Sequence, residues 1–234
     1  VQERLDESAP HLENSLSMWR RIHCNKDHRD VVVALNKLGE CLRVQGEPTP
    51  ALVEESLAMA RRIHGSTDHS LVCATMCQLA QAYQAQGRLD EAASLAREAL
   101  AMRRRMHGSE GHSSVSSSLY ALARVYKAQG RCEESASLLD EALSMLQQIH
   151  GSKDHGDVAT SLCLLAEVYT AQGRLGASAS LHEKSLAMTR RLYSSREPRF
   201  VAVSLCRLAS VYMEQRRLDE AAVLLEESLT MRRR

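Results

Sequence analysis

The chain has 234 residues, 44% of them hydrophobic and 3% aromatic, and its 30 basic and 29 acidic residues leave a formal charge of +1. That balance argues against a dedicated nucleic-acid binder, which carries a basic excess on one face. The apolar content suffices for a continuous core, built from Leu, Ala, Val and Met with few rings.

Seven cysteines, at 24, 41, 73, 77, 132, 163 and 206, are odd in number and form no CxxC pair. This excludes a small disulfide scaffold. Reduced thiols in a cytoplasmic (intracellular) or nuclear protein are expected. No apolar run approaches the ~18 residues of a membrane span, and no signal-peptide pattern opens the chain. The sequence begins at Val1 in the middle of a pattern that returns later, so it reads as a fragment of a longer protein.

The pattern has a fixed period. Gly87, Gly130 and Gly173 are 43 residues apart, as are His64, His107 and His150, and Tyr193 takes the next slot. A period of this size marks a stacked-repeat solenoid. In chain order, residues 3–23 read as the second helix of a half repeat, with Pro10 predicting a kink or a late helix start because an interior proline costs about 3 kcal/mol. Trp19 falls where later units have Ala60, Arg103, Leu146 and Thr189, a slot that tolerates many residues, so Trp19 is expected to be partly exposed. The first full unit, about 29–64, is two residues short, and Glu47-Pro48-Thr49-Pro50 places the deletion in a turn, where fixed φ is tolerated. Further units follow at about 70–107, 113–150, 156–193 and 199–233, the last with Arg216 at the turn-glycine position.

Each unit holds two apolar patterns of helical step, for example Val115, Leu119, Leu122, Ala123, Val125 and Tyr126, then Ala136, Leu138, Leu139, Ala142, Leu143, Leu146 and Ile149. Glycine between them suits a left-handed helix end. Between units, His-Gly-Ser-x-Asp-His ends one helix and starts the next, with Asp68 or Asp154 expected as the cap. Eleven helices result. Gly39, Ala80, Ala123, Ala166 and Ala209 recur in one slot, where small size permits close helix approach and Arg would overpack.

Leu122-Ala123-x-x-Tyr126-x-x-x-Gly130, followed by Ser135 and Ala142-Leu143, resembles the tetratricopeptide repeat. The long period, with Leu-Ala-x-x-Tyr-x-x-Gln-Gly-Arg, Ser-Leu-Ala-Met-x-x-Arg and the His-Gly-Ser-x-Asp-His linker, is similar to the repeats of kinesin light chains and nephrocystin-3. The resemblance implies an all-α fold, a right-handed α-solenoid of antiparallel helix hairpins forming one superhelix. It also implies that first helices line a concave groove for extended or helical peptides. Kinesin light chains tend to carry Asn-Asn before the Leu-Ala step. Here only Asn36-Lys37 approaches that, against Cys77-Gln78, Tyr120-Ala121, Cys163-Leu164 and Cys206-Arg207.

Mapped onto this chain, three rows are expected to line the groove: Asn36, Cys77, Tyr120, Cys163 and Cys206; Glu40, Gln81, Arg124, Glu167 and Ser210; Arg43, Gln84, Lys127, Thr170 and Met213. Steps of four and three keep each helix's members on one face. Arg43, Arg124 and Lys127 are expected to meet partner carboxylates.

Other constellations have plainer readings. His-x4-His at 23/28, 64/69, 107/112 and 150/155 invites a zinc site, but the spacing spans a loop and lacks four convergent ligands, so helix-end chemistry is preferred and no metal is expected. Cys73 and Cys77 read as buried or groove-facing thiols. Arginine runs at 20–21, 61–62, 103–105, 190–191 and 232–234 would form a basic ridge, but Glu54-Glu55, Asp140-Glu141 and Glu226-Glu227 favour i to i+4 pairing. No nucleophile elbow, phosphate loop or HExxH is present. The sequence therefore predicts a non-enzymatic scaffold without cofactors that binds a protein or peptide, with end-to-end self-association also expected. The alternatives are a regulatory or sensor region of a larger signalling protein and a structural spacer.

Overall fold

The computed structural model describes residues 2–47, 49–65, 67–108, 111–151, 153–194 and 197–233; Pro48 of the short turn and Arg234 of the last arginine run lie outside them. Among the described residues the chain forms eleven helices and no strand. They are α1 (Gln2–Ile22), α2 (Arg29–Gln45), α3 (Pro50–His64), α4 (Ser70–Ala85), α5 (Leu89–His107), α6 (Ser113–Ala128), α7 (Cys132–His150), α8 (Gly156–Ala171), α9 (Leu175–Tyr193), α10 (Pro198–Glu214) and α11 (Leu218–Arg233). None is long and apolar enough to cross a membrane. The chain divides into two compact units, Val1–Glu110 and Gly111–Arg234. In each, every helix packs on the next in sequence, as antiparallel hairpins joined by short turns require.

The apolar steps become the core. In unit one, Val31, Val32 and Leu35 of α2, Val72, Cys73 and Met76 of α4, and Ala92, Ala96 and Ala99 of α5 are buried, with α2 packed on α3 and α4 on α5. In unit two, Val115 and Leu119 of α6, Leu139 and Leu146 of α7, and Val201 and Leu205 of α10 are fully enclosed. Each such side chain contributes about 1.5–3 kcal/mol. The small-residue slot is closed in both units: Ala80, Ala123, Ala166 and Ala209 have no exposure, and a Cβ on Gly39 would lie 2.8 Å from a Val53 methyl. Buried serines tie the hairpins. Ser185 and Ser228 of the second helices donate to the carbonyls of Ala159 and Ala202 in the first helices, at 2.8 and 2.9 Å, and Ser56 Oγ lies 3.2 Å from Val32 O.

The turn within a hairpin is a left-handed cap. At Gly130 φ is 76°, its N–H bonds Lys127 O at 3.0 Å, and the Arg131 N–H bonds Tyr126 O at 2.8 Å. Arg216 adopts the same conformation at φ 63°. Arg131 then folds back over the Tyr126 ring, 3.9 Å from its centre, as Arg88 does over Tyr83, Arg174 over Tyr169 and Arg217 over Tyr212.

Four sequence expectations are corrected. Pro10 lies inside an α1 that already starts at Gln2, so there is no late start. The linker aspartates do not cap. His28, His69, His112 and His155 do, each accepting at Nδ1 the N–H of the residue two further on, at 3.1–3.2 Å. Asp27, Asp68 and Asp154 instead take forked bonds from Arg62, Arg105 and Arg191 at the ends of the second helices, and the guanidinium in each case holds the carboxyl below its ordinary range. Arginines therefore pair across 35 or 37 residues; Arg20–Glu55, Arg61–Glu98 and Arg190–Glu227 do the same, in place of i to i+4 pairs. Finally, Trp19 is partly exposed as expected, but its slot is not a tolerant one: Ala60, Arg103, Leu146 and Thr189 there are all buried, which makes it an interior slot.

Candidate peptide-binding face

The first helices of the two units differ in what they offer. In unit one, Asn36 is 8% exposed. Its Nδ2 donates to Thr75 Oγ1 and its Oδ1 accepts from Ser56 Oγ, both at 2.7 Å, so it binds three helices together from inside. Cys77 is equally buried. Glu40, Gln81, Arg43 and Gln84 are half-buried. Arg43 forks onto Glu40 at 2.9 and 2.7 Å, which neutralises it on its own helix.

Unit two carries the charge. Arg124, Ser210 and Met213 are exposed, whereas Tyr120, Lys127, Glu167, Thr170 and Cys206 are half-buried. Glu167 of α8 accepts from Lys127 of α6 at 2.7 Å and from Arg207 of α10 at 3.1 Å, so two cations share one carboxylate. Thr170 bonds Ala166 O and Ser178 Oγ, and Ser210 donates to Cys206 O. The Cys206 thiol lies 3.1 Å from the Ser228 hydroxyl. Tyr120 reaches α8, donating to Asp157 O at 3.3 Å and meeting the Ser161 hydroxyl, and burial pushes its phenol up to about 12.

Cys163 is 6% exposed, with Arg207 Nη1 2.6 Å from its sulfur and His182 Nδ1 3.7 Å away. Burial raises its thiol although Arg207 pulls the other way, so it stays protonated, which disfavours nucleophilic use. Burial also raises Cys73. Among the described residues none of the seven cysteines forms a disulfide. His182 occupies the interior slot of Leu139 one period on, and burial drives it down to about 4.

The linker histidines stack face to face, 3.5 Å between ring centres at 23/28, 64/69 and 150/155. His23, His28 and Asp30, and likewise His150, His155 and Asp157, bring three donor atoms within 4.8 Å. The Nδ1 lone pairs of His28 and His155 are already engaged by backbone N–H groups. Parallel rings also direct their remaining lone pairs side by side, a poor match to a tetrahedral ion.

Sequence reasoning missed the cleft between α8 and α10, about 390 Å³, lined among others by Cys163, Thr189, Tyr193, Phe200, Val203 and Arg207. Phe200 and Val203 are 43% and 42% exposed. The signal was present in the breaks of register: Phe200 stands one period after Asp157, and Arg207 one period after Leu164.

Models of the tetratricopeptide repeat match residues 114–191, and residues 72–113 and 201–234, more than half of the chain. No curated protein sequence matches it significantly. Among solved structures, BtubC (BKLC) from P. vanneervenii superimposes with a TM-score of 0.75 at 21% identity, covering 97% of this chain and 91% of that one. A Podosopora anserina protein described as a kinesin light chain with nearly identical TPR-like repeats gives 0.66 at 26% identity, covering 86% and 94%. The apo form of RapI gives 0.65 at 12% identity, covering 95% and 92%.

Proposed function

Since the chain belongs to the tetratricopeptide-repeat family, whose folds generally serve protein interaction, we propose that it is a non-enzymatic scaffold whose unit-two first helices, α6, α8 and α10, bind an acidic peptide or helix of a partner protein. One observation carries this reading. Lys127 and Arg207 converge on the single carboxylate of Glu167, leaving one positive charge in surplus on a partly desolvated face that also presents Arg124. Charge-assisted bonds to carboxylates are the strong ones, above all for arginine. Unit one is the weaker candidate, because Arg43 is spent on Glu40.

The test is binding of a panel of Glu- and Asp-rich 12-residue peptides to the full chain, repeated with the double variant Arg124→Ala, Lys127→Ala. Affinity should fall about tenfold or more and the salt dependence should flatten. Unchanged affinity removes the proposal.

A second use has its own observation. On α11, Leu225 and Leu229 are 40% and 49% exposed, whereas His182 and Leu186, one period earlier on α9, are 3% and 5% exposed where α10 covers that helix. This stripe favours self-association through α11, and light scattering of Leu225→Ser with Leu229→Ser tests it: the wild type should form larger species with rising concentration and the variant should not.

A further inference from the structure

Each unit holds a tyrosine–carboxylate pair between two of its second helices. In unit one, the Tyr83 hydroxyl of α4 donates to Glu54 Oε1 of α3 at 2.7 Å, and Arg88 lies over the ring, 3.7 Å from its centre. Three periods on, in unit two, Tyr212 of α10 donates to Glu183 Oε1 of α9 at 2.7 Å, with Arg217 over its ring at 3.7 Å. The neighbours repeat as well. Arg88 forks onto Glu91 and Arg61 binds Glu98, just as Arg217 forks onto Glu220 and Arg190 binds Glu227. In the two intervening periods the Glu54 slot holds Arg97 and Asp140. The arrangement is therefore a built one, made twice with the same partners.

In unit one it borders a cavity of about 400 Å³ between α3, α4 and α5, lined by Leu57, Leu79 and Leu95, with Glu54 in its wall. Glu91 and Glu98 each spend both oxygens on an arginine. Tyr83 takes only Oε1 of Glu54, and Arg88 Nη1 stands 3.7 Å from that same oxygen. Burial, and then the Glu54 carboxylate, raise the Tyr83 phenol, so it keeps its proton and its donor role. Against Arg61 and Arg88, the three carboxylates leave one negative charge in surplus, and the open acceptor is Glu54 Oε2.

We propose that this cavity receives a lysine side chain of a partner protein, its apolar stem on the leucines and its ammonium on Glu54 Oε2. Lysine lays a four-carbon stem along apolar surface and carries a point charge at its tip. An arginine fork asks for two open oxygens, and Glu54 offers one. The site lies in the other unit from the acidic-peptide face and does not depend on that reading.

The experiment is an NMR titration of the full chain with acetyl-Ala-Lys-Ala-amide, with its norleucine analogue, which keeps the stem and lacks the ammonium, and with n-butylammonium chloride. The lysine peptide should shift the amides of Leu57, Ala58, Leu79 and Leu95. At low salt it should bind about fivefold more tightly than the norleucine peptide, the effect of one exposed ion pair, and more tightly than n-butylammonium. Glu54→Gln keeps an acceptor for the Tyr83 hydroxyl and removes the charge, so it should abolish the preference for lysine. Ala58→Trp, at an exposed position on the cavity, should block the peptide. No shifts at these amides, equal affinity for the two peptides, n-butylammonium binding as tightly as the lysine peptide, a preference that survives Glu54→Gln, or binding that survives Ala58→Trp would each overturn the proposal.

Discussion

Arg216 holds the left-handed conformation that Gly87, Gly130 and Gly173 adopt at the same turn. A Cβ makes that conformation costly by about 1–2 kcal/mol, part of which glycine returns as entropy in the unfolded chain. Arg216→Gly is therefore expected to stabilise unit two by roughly 0.5–1 kcal/mol, and Gly130→Ala to destabilise it by about 1 kcal/mol, both read from denaturant midpoints. His182 is the second residue with a measurable consequence. Its folded value, about 4, lies below the ordinary 6.5, so the native state holds it neutral. Its contribution is complete above pH 6.5 and is lost as pH falls from there toward 4, an effect of order 2–3 kcal/mol. His182→Leu, the residue type of Leu139 one period earlier, should flatten unit-two stability across that window. An unchanged acid slope would remove this account of His182.

At the scale of the element, the sequence disclosed where helices lie better than what ends them. The period and the apolar steps predicted an all-helical chain of paired helices, and eleven helices form among the described residues, because core burial enforces a 3.6-residue rhythm that survives substitution. The cap identity was illegible, because aspartate is the usual choice and histidine is not. Only the structure shows Asp68 drawn to Arg105, leaving His69 Nδ1 to hold the Leu71 N–H. His69→Asn should preserve α4, since asparagine caps well, and His69→Ala should cost about 1 kcal/mol, measured as faster amide exchange at Leu71 to Cys73. Burial, His64 and Arg29 lower the His69 value. The cap is thus present above pH 6.5 and weakens below it, and His69→Asn should lose that pH dependence. Of the site rows, Glu40, Arg124, Glu167, Lys127 and Met213 reach the surface, whereas Asn36, Cys77 and Cys163 turn inward. One-residue differences in helix rotation decide this, and spacing alone does not fix them.

For the whole molecule, a formal charge of +1 conceals an uneven distribution. Many arginines are spent on linker aspartates and neighbouring glutamates, pairs too exposed to add much stability individually, while Lys127 and Arg207 compete for Glu167. The small-residue slot sets the other whole-chain constraint: Ala166→Arg should cost about 3 kcal/mol or more and unfold the α8–α9 hairpin with its neighbours, because no hairpin covers its apolar faces alone. The most direct measurement of the central claim is the affinity of Glu167→Gln for an acidic peptide, compared with the unaltered chain. Removing the shared carboxylate releases both cations, so binding should tighten about fivefold or more with a steeper salt dependence. Equal or weaker binding at all salt concentrations would contradict the account.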